Sequence, residues 1–231
     1  MVKSKAWNWE TVQGKDSEFW KKPSLESYYL VERWKSQGKK EFLDLGCGLG
    51  RHSILFAENG FNVSACDLSE TAVERTKRWA ESLHLPVHCR VVDMLSLPYG
   101  DGNFGCILCR NVISHTDTEG VKKAFAEIKR VLKPDGECYF TLCSKNAWGY
   151  GQNWPVIDSN TKIRVEDGPE NGVPHFFADY GVIQSLCAGM KIVSAHHIND
   201  ILTEGVPGGW HYHVLVRKPA GMGLNGANKR K

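Results

Sequence analysis

The run Asp44-Leu45-Gly46-Cys47-Gly48-Leu49-Gly50 closes the apolar stretch EFLDL (41–45) and leads straight into a helical stretch, Arg51 to Asn59. Glycines at alternate positions let a backbone turn tightly and approach a ligand without Cβ interference. The helix that follows presents N–H groups with no partner inside the helix. Strand, glycine turn and helix in that order predict a ligand-binding loop at the carboxyl end of a β-strand. NAD-binding folds use a similar loop, so the glycines alone leave the ligand open.

Outward from this loop the chain alternates. EFLDL (41–45), FNVSACD (61–67), VHCRVVD (87–93), FGCILCR (104–110) and ECYFTLC (137–143) read as strands. Helical stretches lie between them, at Arg51 to Asn59, Glu70 to Leu83 and Glu119 to Leu132. In the last of these Val121, Ala124, Phe125, Ile128 and Leu132 share one face. Ser69 and Asp117 or Thr118 are predicted N-caps. The alternation implies right-handed crossovers and a doubly wound, mainly parallel α/β sheet covered on both faces. Five segments follow: an aromatic-rich extension (1–40), the α/β core (41–143), an insertion (144–176), a helix and β-hairpin completing the sheet (177–218), and a flexible tail (219–231). The insertion is rich in Gly, Asn, Pro and Trp and has no clear period, as expected of a lid. The extension holds Trp7, Trp9, Trp20 and Trp34, with a helix near Leu25 to Lys35. It reads either as an edge packed on the sheet or as a cover that excludes water from a site.

Composition narrows the class of function. The 231 residues are 42% hydrophobic and 24% charged, an ordinary globular balance. No apolar run approaches the roughly 18 residues that span a bilayer, and Met1 to Glu10 lacks the apolar core of a signal peptide, so a cytoplasmic protein without a membrane partner is expected. The net charge of +3 comes partly from the terminal Lys229-Arg230-Lys231, weak grounds for a nucleic-acid partner. Most of the eight cysteines sit in strand-like runs and are expected to be reduced and core-filling. Cys106 and Cys109 have C-x-x-C spacing, but three steps along a strand put them on opposite faces. No metal site is expected. His211 and His213, weighed with His196 or His197 as ligands, fit an ordinary interior strand better.

Three acids separate the possible ligands. Asp44, Asp67 and Asp93 end the first three strands and lie along one carboxyl edge. A carboxylate ending the second strand suits the two hydroxyls of a ribose. Asp44 before the glycines disfavours a pyrophosphate and favours a nearby positive charge. A nucleoside carrying a cation fits this edge.

With these residues the sequence resembles the class I S-adenosylmethionine-dependent methyltransferases. DLGCGLG is similar to their glycine-rich motif and ACDLS to their acidic ribose loop. VVDMLSLPYGDGNFGCIL is similar to the segment holding adenine, and LKPDG (132–136) to their LKPGG turn. GRHS (50–53) and NVISH (111–115) resemble the small-molecule branch near the tellurite-resistance and quinone-biosynthesis enzymes. No Asn-Pro-Pro-Tyr or Asp-Pro-Pro-Tyr follows the fourth strand, unlike the branches that methylate nucleic-acid amino groups. The resemblance covers about 41–143 and departs from the family at Asp135 and Gly105. It implies a Rossmann-like, seven-stranded sheet with an antiparallel last strand and S-adenosylmethionine as cofactor. It also implies a site in which Asp44, Gly46, Cys47, Gly48 and Gly50 form the loop at the methionine part, and Asp67 holds the ribose with Leu68 on the adenine. Asp93 then takes the adenine amino group beside Met94, and Arg110 and Asn111 border the methionine part.

Methyl transfer from a sulfonium requires mainly alignment and the exclusion of water, with a base aiding a hydroxyl or ammonium acceptor. His115 is the first candidate base, and His175 or His213 is expected to polarise the substrate. Tyr28, Tyr29, Trp148, Tyr150 and Trp154 are expected around the acceptor pocket. The expected reaction is methylation of a small molecule at O, N or S. RNA or protein methylation, an NAD(P)-dependent oxidoreductase and a non-catalytic binding module are the alternatives.

Overall fold

A computed structural model describes residues 4–199 and 209–220, apart from the side chains of residues 15–17. The glycine-containing loop at 201–208 and the tail from 221 lie outside the described residues. A short 3-10 turn at Trp9–Thr11, α1 (Gly14–Trp20) and α2 (Leu25–Ser36) precede the core. Then come β1 (Glu41–Leu45), α3 (Arg51–Glu58), β2 (Asn62–Asp67), α4 (Glu70–Ser82), β3 (Val87–Val91), β4 (Phe104–Cys109), α5 (Thr118–Val131) and β5 (Leu132–Ser144). The chain continues through α6 (Trp148–Gly151), β6 (Val156–Asp158), β7 (Thr161–Ile163), β8 (Pro174–Ala178), α7 (Tyr180–Leu186), β9 (Lys191–Asn199) and β10 (Trp210–Arg217).

Strands β3-β2-β1-β4-β5 are parallel in that spatial order, the doubly wound arrangement expected. β10 lies antiparallel between β5 and β9, as the hairpin reading requires. The expected caps also form: Ser69 Oγ accepts from the Ala72 N–H, and Asp117 Oδ1 from that of Gly120. The strand count differs from expectation, since the sheet has ten strands rather than seven. β5 outruns β4: their pairing ends at Cys109 and Phe140, leaving the end of β5 with an open edge. Unpaired backbone groups in an interior need partners. β8 supplies them by pairing in parallel at Cys143 and Ser144, and β7 and β6 extend it as an antiparallel sheet. β6 and β7 have three residues each, too few to display an alternating pattern.

Two apolar layers cover the central sheet. One contains Leu43, Ile107, Cys109 and Phe140 with Val121, Ala124, Phe125 and Ile128 of α5. The other contains Phe42, Cys106, Leu108 and Tyr139 with Phe56 of α3 and Leu30, Val31 and Trp34 of α2. Cys106 and Cys109 therefore lie on opposite faces, both fully buried, and all eight cysteines are free thiols. At the family's glycine position Asp135 takes a left-handed conformation, φ +59°, which Asp tolerates better than most side chains.

Helix α2 is tied to the sheet by more than apolar burial. Glu137 of β5 is wholly buried and accepts hydrogen bonds from Arg33 (2.8 and 2.9 Å), Trp34 Nε1 (2.9 Å) and Arg217 of β10 (2.7 and 3.0 Å). Burial works to raise the Glu137 carboxyl, but these donors outweigh it and hold the group at about 2. A carboxylate with a depressed pKa stabilises the fold above its unfolded value and ceases to as the pH falls through the folded one. Glu137→Gln should cost about 3 kcal/mol in chemical denaturation, the low end for breaking a buried ion pair because both guanidinium groups reach water. The gap between wild type and variant should be constant above pH 4.5, the group's ordinary value, and narrow as the pH falls towards 2. A gap unchanged at low pH would mean that the carboxylate charge contributes nothing.

Candidate functional site

At the carboxyl ends of β1, β2 and β4 lies a cleft. The loop that floors it turns on three glycines with positive φ, Gly46 (+78°), Gly48 (+53°) and Gly50 (+89°). A Cβ at Gly46 would sit 2.2 Å from a methyl of Val112, and one at Gly50 would sit 2.8 Å from Thr76. At Gly48 the obstacle is the Trp9 ring, 2.9 Å away. The β4 loop, α4 and the N-terminal extension are thus packed against the bare backbone of one turn.

Asp67 is held by that turn. Its Oδ2 accepts from the Gly48 N–H and its Oδ1 from the Ser69 N–H, both at 2.9 Å. Each carboxylate oxygen keeps a further acceptor site, so the pair can take two more donors. Burial pushes the Asp67 carboxyl up against the pull of these N–H groups, a penalty that added donors would relieve. Asp93 Oδ1 accepts from the Leu95 N–H (2.9 Å) and from Ser4 Oγ (3.0 Å). Asn111 has φ +58°, and its N–H donates to Thr141 Oγ1, which donates back to Asn111 Oδ1, both at 2.8 Å.

Gly46, Cys47, Gly48, Asp67, Leu68, Asp93, Met94, Arg110 and Asn111 all line the cleft. Asp44 and Gly50 do not. Asp44 is buried behind the loop, where Ser53 Oγ donates to it at 2.6 Å and burial raises it to about 6. Asp44 thus lies beneath the turn rather than in the cleft lining. Arg51 and His52, which sequence reasoning passed over as site residues, line the cleft too, and the helical start after Gly50 is the signal that marks them. Burial and the charge of Arg110 bring the Arg51 guanidinium down to about 10. Arg110 Nε is buried without a hydrogen-bond partner among the described residues.

None of the five aromatic residues expected around the acceptor lines this cleft. Tyr28 and Tyr29 lie on the solvent side of α2, whose inner side carries Leu30, Val31 and Trp34. Trp148 is half exposed, Tyr150 packs on Phe177, and buried Trp154 packs beside His175. Trp7, Trp9 and Trp20 occupy the cleft wall instead, with ring centroids 5.0 to 5.7 Å apart, and the Arg51 guanidinium lies 4.8 Å from the Trp20 ring. Their concentration in the extension is the sequence signal for this wall.

The three candidate histidines separate. His115 lines the cleft, and its ring centroid is 5.3 Å from that of His175, which lies outside the lining. Glu170, not anticipated from sequence, has Oε1 3.5 Å from His175 Nε2 and 3.9 Å from His115 Nε2. Burial and the neighbouring His175 lower His115 to about 4. Burial works against ionising either Glu170 or His175, but their mutual attraction prevails, holding Glu170 below and His175 above its ordinary value. His213 is elsewhere, buried against Tyr139 (2.7 Å) and Glu26 (3.4 Å) beneath α2.

A parallel sheet of this order with an antiparallel strand beside β5, a glycine turn after β1 and an acid ending β2 defines a class I methyltransferase fold. Residues 42–136 match the model of the methyltransferase-domain family. Ubiquinone biosynthesis O-methyltransferase of Coxiella burnetii is 28% identical over 123 residues, 53% of this chain and 51% of that protein. The chain thus spans about half the length of the curated relatives it matches. Among solved structures, a SAM-dependent methyltransferase of Methanosarcina mazei aligns with a TM-score of 0.68 at 19% identity, over 78% of this chain and 92% of that one. The 1,6-didemethyltoxoflavin-N1-methyltransferase of Burkholderia thailandensis, with its substrate and S-adenosylhomocysteine bound, aligns with a TM-score of 0.60 at 18% identity, over 84% and 77%.

Gly46→Ala should place a methyl group inside Val112 at a backbone angle that alanine resists, destabilising the fold by about 1–3 kcal/mol in a denaturant titration. Wild-type stability would mean that the β4 loop can move away from the turn.

Proposed function

We propose that this chain is an enzyme that moves the methyl group of S-adenosylmethionine to a small molecule. The observation that carries the reading is Asp67, a partly buried carboxylate oriented by the Gly48 and Ser69 N–H groups with acceptor sites left for a ribose diol. Asp93, with Oδ1 engaged, has Oδ2 for an adenine amino group, and Leu68 and Met94 supply apolar walls for the ring. Arg51 and the unpartnered Arg110 Nε suit a carboxylate, and the cofactor's methionine half brings one. A dinucleotide would bring a pyrophosphate to a loop flanked by Asp67, with Asp44 beneath it, which is unfavourable.

Beyond the methyl group the acceptor would meet Trp7, Trp20 and His115. Aromatic walls suit a flat or apolar acceptor and keep water from competing for the methyl group. His115, neutral at physiological pH, serves to orient the acceptor rather than to act as a strong base. His175 and Glu170 stand behind it as positioning groups, and His213 has no part in the reaction. The similarity to a ubiquinone biosynthesis O-methyltransferase supports a small-molecule acceptor for this chain as well.

Calorimetry should show S-adenosylhomocysteine binding and no binding of NADH; the reverse pattern would overturn the assignment. Asp67→Ala should weaken S-adenosylhomocysteine by about 1–3 kcal/mol, the cost of charge-assisted hydrogen bonds. Undiminished affinity would remove Asp67 from the site. A screen of small phenols, amines, thiols and carboxylates for S-adenosylhomocysteine release then tests the acceptor class, and turnover confined to RNA or protein would exclude a small molecule.

A further inference from the structure

We infer that His115 Nε2, His175 Nε2 and Glu170 Oε1 form a binding site for a divalent transition-metal ion of the zinc class at the inner end of the cleft. The three ligand atoms lie within 4.8 Å of one another on largely buried side chains. They come from three separate places: the loop after β4, the insertion before β8, and β8 itself. Two imidazoles and one carboxylate are a common donor set for such ions, and at metal–ligand distances of about 2.0–2.1 Å tetrahedral neighbours lie roughly 3.4 Å apart. His175 and Glu170 are at 3.5 Å already and His115 is 3.9 Å from Glu170; with all three atoms within 4.8 Å of one another, His115 has to move in by roughly 1 Å to complete this geometry.

The groups behind the ligands point the same way. His175 Nδ1–H donates to the Val173 carbonyl at 3.0 Å, so Nε2 is the nitrogen turned towards Glu170. Arg164 grips the opposite carboxylate oxygen, Oε2, leaving Oε1 turned towards both histidines. A ligating imidazole anchored through its other nitrogen and a ligating carboxylate fixed by a second donor are the usual supports of a metal site. Without a metal ion a proton on His175 Nε2 joins it to Glu170 Oε1, and a bound metal ion would take that proton's place. With three protein ligands a fourth position would be left for water or an acceptor, and His115, which lines the cleft, is the ligand that would connect the ion to it. The role there would be to bind and orient an oxygen or sulfur acceptor as its anion. That role rests on the methyl-transfer reading, whereas the metal site does not.

The test is titration of the metal-free full chain with Zn²⁺, and with Co²⁺ followed by its visible absorption. One equivalent should bind with a tetrahedral cobalt spectrum, and Zn²⁺ should raise the thermal midpoint. His175→Ala and Glu170→Gln should each lower metal affinity at least about a hundredfold and abolish the spectrum. Both should keep wild-type S-adenosylhomocysteine affinity, which reports an intact fold and cleft. Absence of stoichiometric binding, or equal affinity in folded variants, would overturn the site and leave a shared proton as the link between His175 and Glu170. Metal binding in a chain that binds no S-adenosylhomocysteine would uphold the site and defeat the methyl-transfer reading.

Discussion

Everything around the cleft depends on a turn with no side chains to spare. Between β1 and α3, Gly46, Gly48 and Gly50 hold backbone angles that L-residues resist, and each stands where another part of the molecule fills the space of its missing Cβ. Val112 comes from the loop after β4, Thr76 from α4 and Trp9 from the extension. The same turn sends the Gly48 N–H to Asp67 and so sets the orientation of the carboxylate ending β2. One short loop therefore determines both the shape of the floor and the direction of the charge above it.

The extension is positioned by a second, unrelated constraint. A wholly buried carboxylate in a sheet is tolerable only when its acceptor sites are filled, and Glu137 is filled largely by Arg33 and Trp34 of α2. With α2 fixed, the segment before it reaches back across the cleft, where Trp7, Trp9 and Trp20 pack on one another at the rim. Contacts at its start hold it down: Ser4 on Asp93, Lys5 on the Asn171 carbonyl, and the Asn8 N–H on the Pro169 carbonyl. The extension thereby joins the cofactor side of the cleft to the insertion that carries Glu170.

The α/β core was legible because its signals are local. Strand and helix periods, the caps Ser69 and Asp117, and the acids ending successive strands each depend on a few neighbouring residues, and the glycine turn announces itself. Legibility failed where the decisive fact was which side of an element faces inward. Tyr28 and Tyr29 belong to the same aromatic extension as Trp7 and Trp9, but α2 turns them to solvent in order to bury Leu30 and Trp34. The insertion was illegible for another reason: its strands are three residues long and exist because β5 outruns β4 and leaves an edge to be paired. Glu170 is brought to His115 by that pairing, across 55 residues of chain that carry no motif linking them.

The cleft divides its charges along its length, and the division follows from the topology. Acids end β2 and β3, on one side of the β1 turn, while Arg110 follows β4 on the other and Arg51 opens α3 between them. A ligand with hydroxyl and amino donors at one end and a carboxylate at the other matches this gradient, whereas a uniformly anionic ligand meets Asp67 and Asp93. The desolvated Arg51 guanidinium, lying on the Trp20 ring and close enough to Arg110 to feel its charge, is costly without an anion. On the methyl-transfer reading, acceptor choice would fall to the aromatic rim and to the polar cluster beyond His115, both built from segments outside residues 42–136. An extension and an insertion that pack on the sheet without forming its glycine turn can change what the rim admits while leaving the floor of the cleft as it is.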